Sequence, residues 1–409
     1  MKILLATTAA TLNGGGIGSY NMEFYNIFKD NAELHLLSTE DTSVPEGYTK
    51  FYALKDKLPK NFKEYKELVE EINNEHYDII FNSDSSELAI IAPFVNSPIV
   101  SVSHTFNNLP AIRAGYNHRY QSRIIALSKA GKRYLERKFN VKNTEKITCL
   151  YNFVHHDSVY STEEKQEKKV LNIVYPGGAI PMKYPEMIAG AVNLLAKTDL
   201  DFNFYWYGND VVPLKRVSIP KRIKDLVAND KRVHMQGKVS RDESQRIIDS
   251  SNIFLLPSRA EGCPVSLMEA MCTGCIPIVG DGKHVCREIL EDGNFGVIVK
   301  KGSSKELFNA IVDVIKHHDK YKISYQRSLD YSNDRLSEKV WRNSMLKIFT
   351  DALKDEKQIK EMTRSSFMLS KFGFEFYAME KILEDRLLSL KVYIKFNFMY
   401  LKYKLYGVI

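Results

Sequence analysis

The chain is short of tryptophan and cysteine, with two Trp and five Cys in 409 residues. The cysteines are Cys149, Cys263, Cys272, Cys275 and Cys286. An odd number, four of them crowded into one stretch, excludes the framework of a secreted disulfide protein. Cys272 and Cys275 form a C-x-x-C, but no second pair completes a zinc ribbon. Two small residues packing a helix end are expected instead. No stretch reaches the roughly 18 apolar residues that span a bilayer. The opening MKILLATTAA breaks its apolar run at Thr7 and Thr8 and leads into glycines. It reads as a buried first strand rather than a signal peptide, and a cytoplasmic location is expected. Long polar tracts, the mark of disorder, are absent too. The net charge of +8 is mild and scattered. It does not indicate nucleic acid, and it suits anionic small molecules or an acidic membrane surface.

What is present is alternation. Lys2–Ala6, Glu33–Leu37, Tyr77–Asn82, Ile99–Ser103, Ile124–Leu127 and Ile147–Tyr151 are short apolar runs. Consecutive apolar residues are the pattern of parallel strands covered on both faces. Ser19–Lys29 and Asn61–Asn74 read as helices between them. After the charged Ser161–Lys169, read as a linker, the pattern restarts. Strands are predicted at Leu171–Tyr175, Asn203–Tyr207, Val233–Met235, Ile253–Leu256, Ile276–Val279 and Gly296–Val299. Helices are predicted at Pro185–Lys197, Arg241–Ser250, Val265–Thr273 and Ser304–Lys316. The expectation is an α/β protein of two doubly wound domains, residues 1–160 and 170–335. A closing helix over 336–354 and a basic, aromatic extension over 355–409 follow.

Two stretches carry candidate chemistry. Thr11–Tyr20 reads TLNGGGIGSY between a strand and a helix, where glycine amides and a helix N-terminus suit phosphate. Its spacing is not the dinucleotide fingerprint, although Glu40–Asp41 after the second strand keeps a nicotinamide enzyme as a distant alternative. Asn252–Gly280 reads NIFLLPSRAEGCPVSLMEAMCTGCIPIVG, a strand, loop, helix and strand. Pro264 suits the first helical position and Gly274 the helix stop. At 100° per residue, Glu269 points away from the apolar face of Leu267, Met268 and Met271. On spacing alone it is equally a solvent-exposed carboxylate.

This stretch resembles the signature of retaining glycosyltransferases with the GT-B fold, the family-four (E-x7-E) type, with Glu261 and Glu269 as the two acids. The resemblance implies two Rossmann-like domains facing across a cleft, the first for acceptor and the second for nucleotide-sugar. It implies that Glu261 contacts hydroxyls of the donor sugar and that Glu269 holds the nucleotide ribose. Backbone amides at Gly262 and Cys263 would touch the sugar; Pro264 has none to offer, and Val265 opens the helix. Tyr175–Lys183 (YPGGAIPMK) resembles the family's phosphate loop. Lys183 stands at its Lys position and Gly178 where an Arg is expected, so one leaving-group contact is missing. Lys183 also reads as a solvated helix-start lysine. His104, in SVSHTF, matches a His near the donor sugar, against an ordinary hydrogen-bonded strand-end histidine. Leu150–Val154 (LYNFV) resembles the turn closing the first domain, with Phe153 for Gly. Glu288 matches a further acid, or is a surface helix residue.

Lys183, the amides of the Gly14–Gly18 loop (Gly15 and Gly16 among them) and a helix N-terminus would stabilise the leaving diphosphate. No Asp-x-Asp motif ends a strand near the site, so transfer without a metal is expected. No cofactor is expected; the donor, with UDP as its expected nucleotide, is itself a substrate. The acceptor is expected to be a glycan or lipid-linked saccharide in cell-surface polysaccharide assembly. A non-catalytic GT-B subunit of a glycosyltransferase complex is the alternative. Arg386–Ile409 interleaves Lys391, Lys395, Lys402 and Lys404 with aromatics. That suits the interface of an anionic membrane, hence a peripheral place on its inner face, and equally suits packing on the first domain.

Overall fold

A computed structural model of the chain describes residues 1–8, 10, 15–41, 46–54, 58–105, 109–154, 170–178, 181–208, 230–281, 285–321, 330–331 and 334–384. It divides into two compact units, Met1–Leu150 with Arg342–Ile409, and Tyr151–Trp341.

The first unit is a parallel sheet of β1 (Lys2–Thr7), β2 (Glu33–Ser38), β3 (Lys50–Ala53), β4 (Ile79–Ser83), β5 (Ile99–Ser103), β6 (Arg123–Ala126) and β7 (Ile147–Cys149). Its order is β3-β2-β1-β4-β5-β6-β7. β4 and β5 are buried along their whole length, as central parallel strands covered on both faces are. The strand order reverses between β1 and β4, and there Thr7 bridges to Asp84. Helices α1 (Gly15–Phe28), α2 (Phe62–Asn74), α3 (Ser86–Ile91), α4 (Leu109–Gly115) and α5 (Lys129–Lys138) connect the strands. Asn61, Ser85 and Ser128 cap α2, α3 and α5 by accepting from the N–H of the third residue on. Each such cap contributes about 1 kcal/mol. α2 buries Tyr65, Leu68, Val69 and Ile72, the i, i+3, i+4, i+7 stripe of an amphipathic helix.

The second unit repeats the plan with β8 (Leu171–Tyr175), β9 (Phe202–Tyr207), β10 (Val233–Gly237), β11 (Ile253–Leu256), β12 (Ile276–Asp281) and β13 (Val297–Lys300). The order is β10-β9-β8-β11-β12-β13, again parallel, with its reversal between β8 and β11. Helices α6 (Pro185–Leu195), α7 (Arg241–Asp249), α8 (Val265–Cys272), α9 (Val285–Ile289) and α10 (Ser304–Lys316) belong to it. Tyr175, Phe204 and Trp206 fill one face of the sheet, with Ile188 and Leu307. Phe254, Leu267, Met268 and Met271 fill the other.

The chain leaves the second unit inside α11 (Glu338–Leu353). Trp341 packs on Phe153 within the second unit, ring centroids 5.1 Å apart. Phe349 packs on Phe24 and Phe28 within the first. α12 (Arg364–Glu384) then lies on α2, α3 and α4. Phe367 meets the Tyr65 ring at 4.8 Å, and Ser370 donates to the Ile90 carbonyl at 2.6 Å. The described part of the extension therefore packs on the first unit. Arg386–Ile409, with its lysines and aromatics, and the linker Ser161–Lys169 lie outside the described residues. No helix among the described residues is long and apolar enough to cross a membrane.

Three local expectations are corrected. α1 starts at Gly15, not Ser19. The added turn holds three glycines, which cost about 1 kcal/mol each in a helix, and it precedes the buried Tyr20, Phe24 and Phe28. Pro264, expected at the first helical position, is instead the N-cap of α8. Its ψ of 104° is extended, so it ends the loop instead of opening the helix. The strand expected to run to Tyr151 stops at Cys149, and Tyr151 already belongs to the second unit.

Candidate functional site

In open parallel sheets, ligands bind beyond the strand ends where the order reverses. In the second unit that point lies past β8 and β11, and the two loops there are tied together. Tyr175, the last residue of β8, is buried and turns its hydroxyl back to the carbonyls of Gly178 and Lys183, at 3.3 and 3.0 Å. Gly178 takes a φ of +55°, the left-handed region. Its N–H donates to the Tyr207 carbonyl at 2.9 Å. A Cβ on neighbouring Gly208 would lie 2.5 Å from that same nitrogen, so the two glycines permit the close approach. This backbone also explains why Gly178 stands at the position of an expected arginine: a left-handed residue favours glycine by about 1 kcal/mol or more.

The turn then delivers Lys183 to the loop after β11. The Arg259 N–H donates to the Met182 carbonyl at 2.8 Å, and the Arg259 guanidinium stacks 3.9 Å over the Tyr184 ring. Lys183 Nζ reaches Glu261 Oε1 at 2.6 Å. Their side chains are 27% and 11% exposed, so both stay reachable by a ligand. The consequence of this pair is placement of the ammonium.

Gly262, Cys263 and Pro264 lead from Glu261 into α8, whose N-terminus has no side-chain cap. Val265 opens that helix, with N–H groups of the first turn available for an anion. Asn152, in the Leu150–Val154 turn, donates to the Cys263 carbonyl at 3.3 Å and braces this loop. Glu269 is half-buried on the face of α8 opposite Leu267, Met268 and Met271, which are fully buried. Its charge helps push the Tyr207 phenol up, after burial. Glu288 contacts the Tyr151 hydroxyl. The Cys275 thiol donates to backbone carbonyls of Ile248 and Ser251, and Cys272 is buried. Among the described residues no cluster of His, Cys, Asp and Glu could hold a metal.

Gly15, Gly16 and His104 belong to the first unit. Gly15 and Gly16 form the first turn of α1, beyond the carboxyl end of β1. His104 follows β5 and is buried, its Nε2 2.9 Å from Ser83 Oγ. Ser83 gives its only proton to Asn21 Oδ1 at 2.6 Å, so Nε2 of His104 is the donor and Nδ1 keeps a lone pair. Burial pushes the imidazole down to about 3, so it is neutral at physiological pH. Asp41 accepts from Ala10 N–H and Ser38 Oγ, at 2.7 and 2.6 Å. Its carboxylate closes the turn after β1.

Several neighbours escaped the sequence reading: Arg259 on Tyr184, Tyr207, and Cys286, whose thiol burial and the Glu261 charge push up. Each reaches the site through tertiary packing, with no spacing to announce it. Arg259 alone had a local signal, standing two residues before Glu261 at the strand's end.

Two parallel Rossmann-like units, each with its own switch point, are the architecture of the GT-B fold. Family models agree. Residues 171–317 match that of group 1 glycosyl transferases, and residues 14–158 that of glycosyltransferase family 4. An uncharacterized glycosyltransferase of Methanocaldococcus jannaschii, MJ1178, is 23% identical over 228 residues, 54% of this chain and 59% of that protein. The chain thus spans about three fifths of that curated relative's length. The amylovoran biosynthesis glycosyltransferase AmsK of Erwinia amylovora is 29% identical over 113 residues, 26% of each chain. Among solved structures, Anabaena Alr3699/HepE in complex with UDP-glucose superposes with a TM-score of 0.67 at 16% identity. That match covers 86% of this chain and 99% of HepE.

Proposed function

We propose that the chain is a retaining glycosyltransferase that moves a sugar from a UDP-sugar to a glycan or lipid-linked acceptor in polysaccharide assembly. The observation that carries this reading is the 2.6 Å contact between Lys183 and Glu261, made by two loops that meet at the switch point of the second sheet. There the ammonium faces the growing negative charge as the bond between the anomeric carbon and the diphosphate oxygen breaks. Fixed charge of this kind stabilises the transition state without reorganisation. Glu261 orients Lys183 and accepts from sugar hydroxyls, Glu269 holds the ribose, and the amides of Gly262, Cys263 and Val265 complete the grip. The acceptor oxygen attacks the face the diphosphate leaves, and its proton passes to the departing phosphate oxygen. His104 serves as a neutral hydrogen-bond partner to a sugar hydroxyl. The polysaccharide role draws support from AmsK, named for amylovoran biosynthesis, and the choice of UDP from HepE, solved with UDP-glucose.

One observation favours a second reading, a non-catalytic binding subunit: Gly178 leaves the diphosphate without the arginine the family pattern expects. Calorimetry with UDP and UDP-glucose, followed by product analysis with labelled donors, separates the two. Release of UDP from donor by the wild-type chain and its loss in Glu261→Ala support the enzyme. Donor binding without turnover, with every donor and acceptor offered, supports the subunit.

A further inference from the structure

A pocket lies in the first unit, at the entry ends of the strands, the opposite end of the sheet from His104. Two strand entries line it: Ser122 precedes β6 and Lys146 precedes β7. The segment after α11 crosses them as a strap. Lys357 Nζ donates to the Ser97 carbonyl at 2.5 Å, the Lys360 N–H donates to the Pro93 carbonyl at 2.8 Å, and Arg123 pairs with Asp355. The pocket is open to solvent on one side and has a volume of about 270 Å³.

Its charge is unbalanced. Arg119, Arg123, Lys146 and Lys357 line it against two acids, Asp355 and Glu356, and Asp355 is already taken by Arg123. Lys146 and Lys357 have no carboxylate within ion-pair distance among the described residues. The Ser122 hydroxyl is buried in the wall with no hydrogen-bond partner. We propose that this pocket is a binding site for a compact oxyanion, a phosphate group, gripped by Lys146, Lys357 and Arg119 with Ser122 donating. Drug-sized ligands occupy larger volumes, so the cavity suits a single phosphate group.

The electrostatics agree with the geometry. Burial pushes the Lys357 ammonium down to about 7. Burial also pushes Lys146 down; Arg123 adds to the effect and Asp355 opposes it. His118 is pushed down by burial, then by Lys146 and Arg119. Lys146 and Lys357 are desolvated lining residues, and a bound anion would relieve both at once. Nothing in this site is shared with the Lys183–Glu261 pair, which belongs to the second unit.

The test is calorimetric titration of the full chain with inorganic phosphate at constant ionic strength, chloride being the balancing anion. Saturable binding with a dissociation constant near the millimolar range is expected. Lys146→Met and Lys357→Met should each weaken it about tenfold while leaving UDP binding unchanged, and the exposed Arg119→Ala should weaken it severalfold. Lys183→Ala should retain phosphate binding here, which separates this site from the proposed donor site. Absence of saturable heat, or equal affinity in the Lys146 and Lys357 variants, overturns the proposal. Co-sedimentation with phosphatidylcholine vesicles, with and without phosphatidic acid, distinguishes the source. Capture by phosphatidic acid that fails in the lysine variants assigns a lipid headgroup; phosphate binding without such capture assigns a soluble phosphate.

Discussion

Lys183 Nζ and Glu261 Oε1 touch at 2.6 Å across 78 residues of sequence, and the contact is held from both sides. Tyr175 fixes the carbonyl of Lys183, and the Arg259 N–H fixes that of Met182. The pair is therefore preorganised. Lys183→Ala removes the charge facing the leaving diphosphate, and kcat is expected to fall about 10²–10³-fold, the usual effect of losing one preorganised stabilising group. Glu261→Gln keeps the shape and releases the ammonium, so its loss should be smaller. Steady-state kinetics of both single variants and the double variant check this. Because the residues act as one unit, the double variant should cost little more than Lys183→Ala alone.

Glu261 and Glu269 were legible because the loop and helix between them form one local unit, and local spacing survives folding. The fully buried strands were legible for the same reason. β3 was not: Lys50–Ala53 is four residues long, at the sheet edge, with only Tyr52 buried. The short α3, α4 and α5 were missed because six to ten residues give too little periodicity. The Lys183–Glu261 contact is a product of strand order, which no window of sequence contains. Pro264 was misplaced by one residue because proline satisfies both the N-cap and the first helical position through its fixed φ, −73° here.

The glycine pair makes a stability prediction. Gly208 has a φ of +128°, and a Cβ there would lie 2.5 Å from Gly178 N and 2.7 Å from its Cα. Backbone atoms do not yield cheaply, so Gly208→Ala is expected to cost about 2–4 kcal/mol. Gly178→Ala, at φ +55°, should cost only about 1 kcal/mol. Urea midpoints of the two variants check the order. Equal midpoints would mean that the loops after β8 and β9 separate freely.

Lys357 fixes a pH dependence. Its ammonium titrates near 10.5 when unfolded and at about 7 in the folded chain. Between those values the unfolded chain holds a proton that the folded chain lacks. Stability contributed by this group therefore rises as pH rises from about 7 toward 10.5. Lys357→Met removes the desolvated charge, so it should raise the unfolding temperature by about 2–4 °C at pH 7, with the gain shrinking toward pH 10. Thermal scans in buffer free of phosphate and sulfate make the comparison, since a bound anion would offset the same penalty. A variant less stable than wild type at pH 7 would show that the hydrogen bond to the Ser97 carbonyl outweighs burial of the charge.

His104 gives a prediction of opposite use, a histidine that does not switch. Its Nε2 is committed to Ser83, which is committed to Asn21, so protonation would place a charge on Nδ1 inside a buried pocket with the Tyr20 ring 4.9 Å away. The folded value near 3 lies below the unfolded 6.5. Between them the unfolded chain carries the extra proton, so stability from this group is lost as pH falls from about 6.5 to 3 and is fully present above. Carbon-13 spectra of ring-labelled histidine, assigned with His104→Asn, should show no titration of this resonance between pH 5 and 8. The pH profile of kcat/KM should likewise have no limb in that range that disappears in His104→Asn. A midpoint near 6.5 would mean that the ring is open to water and the Ser83–Asn21 relay does not set its tautomer. His104 would then be a candidate proton carrier instead of a neutral hydrogen-bond partner.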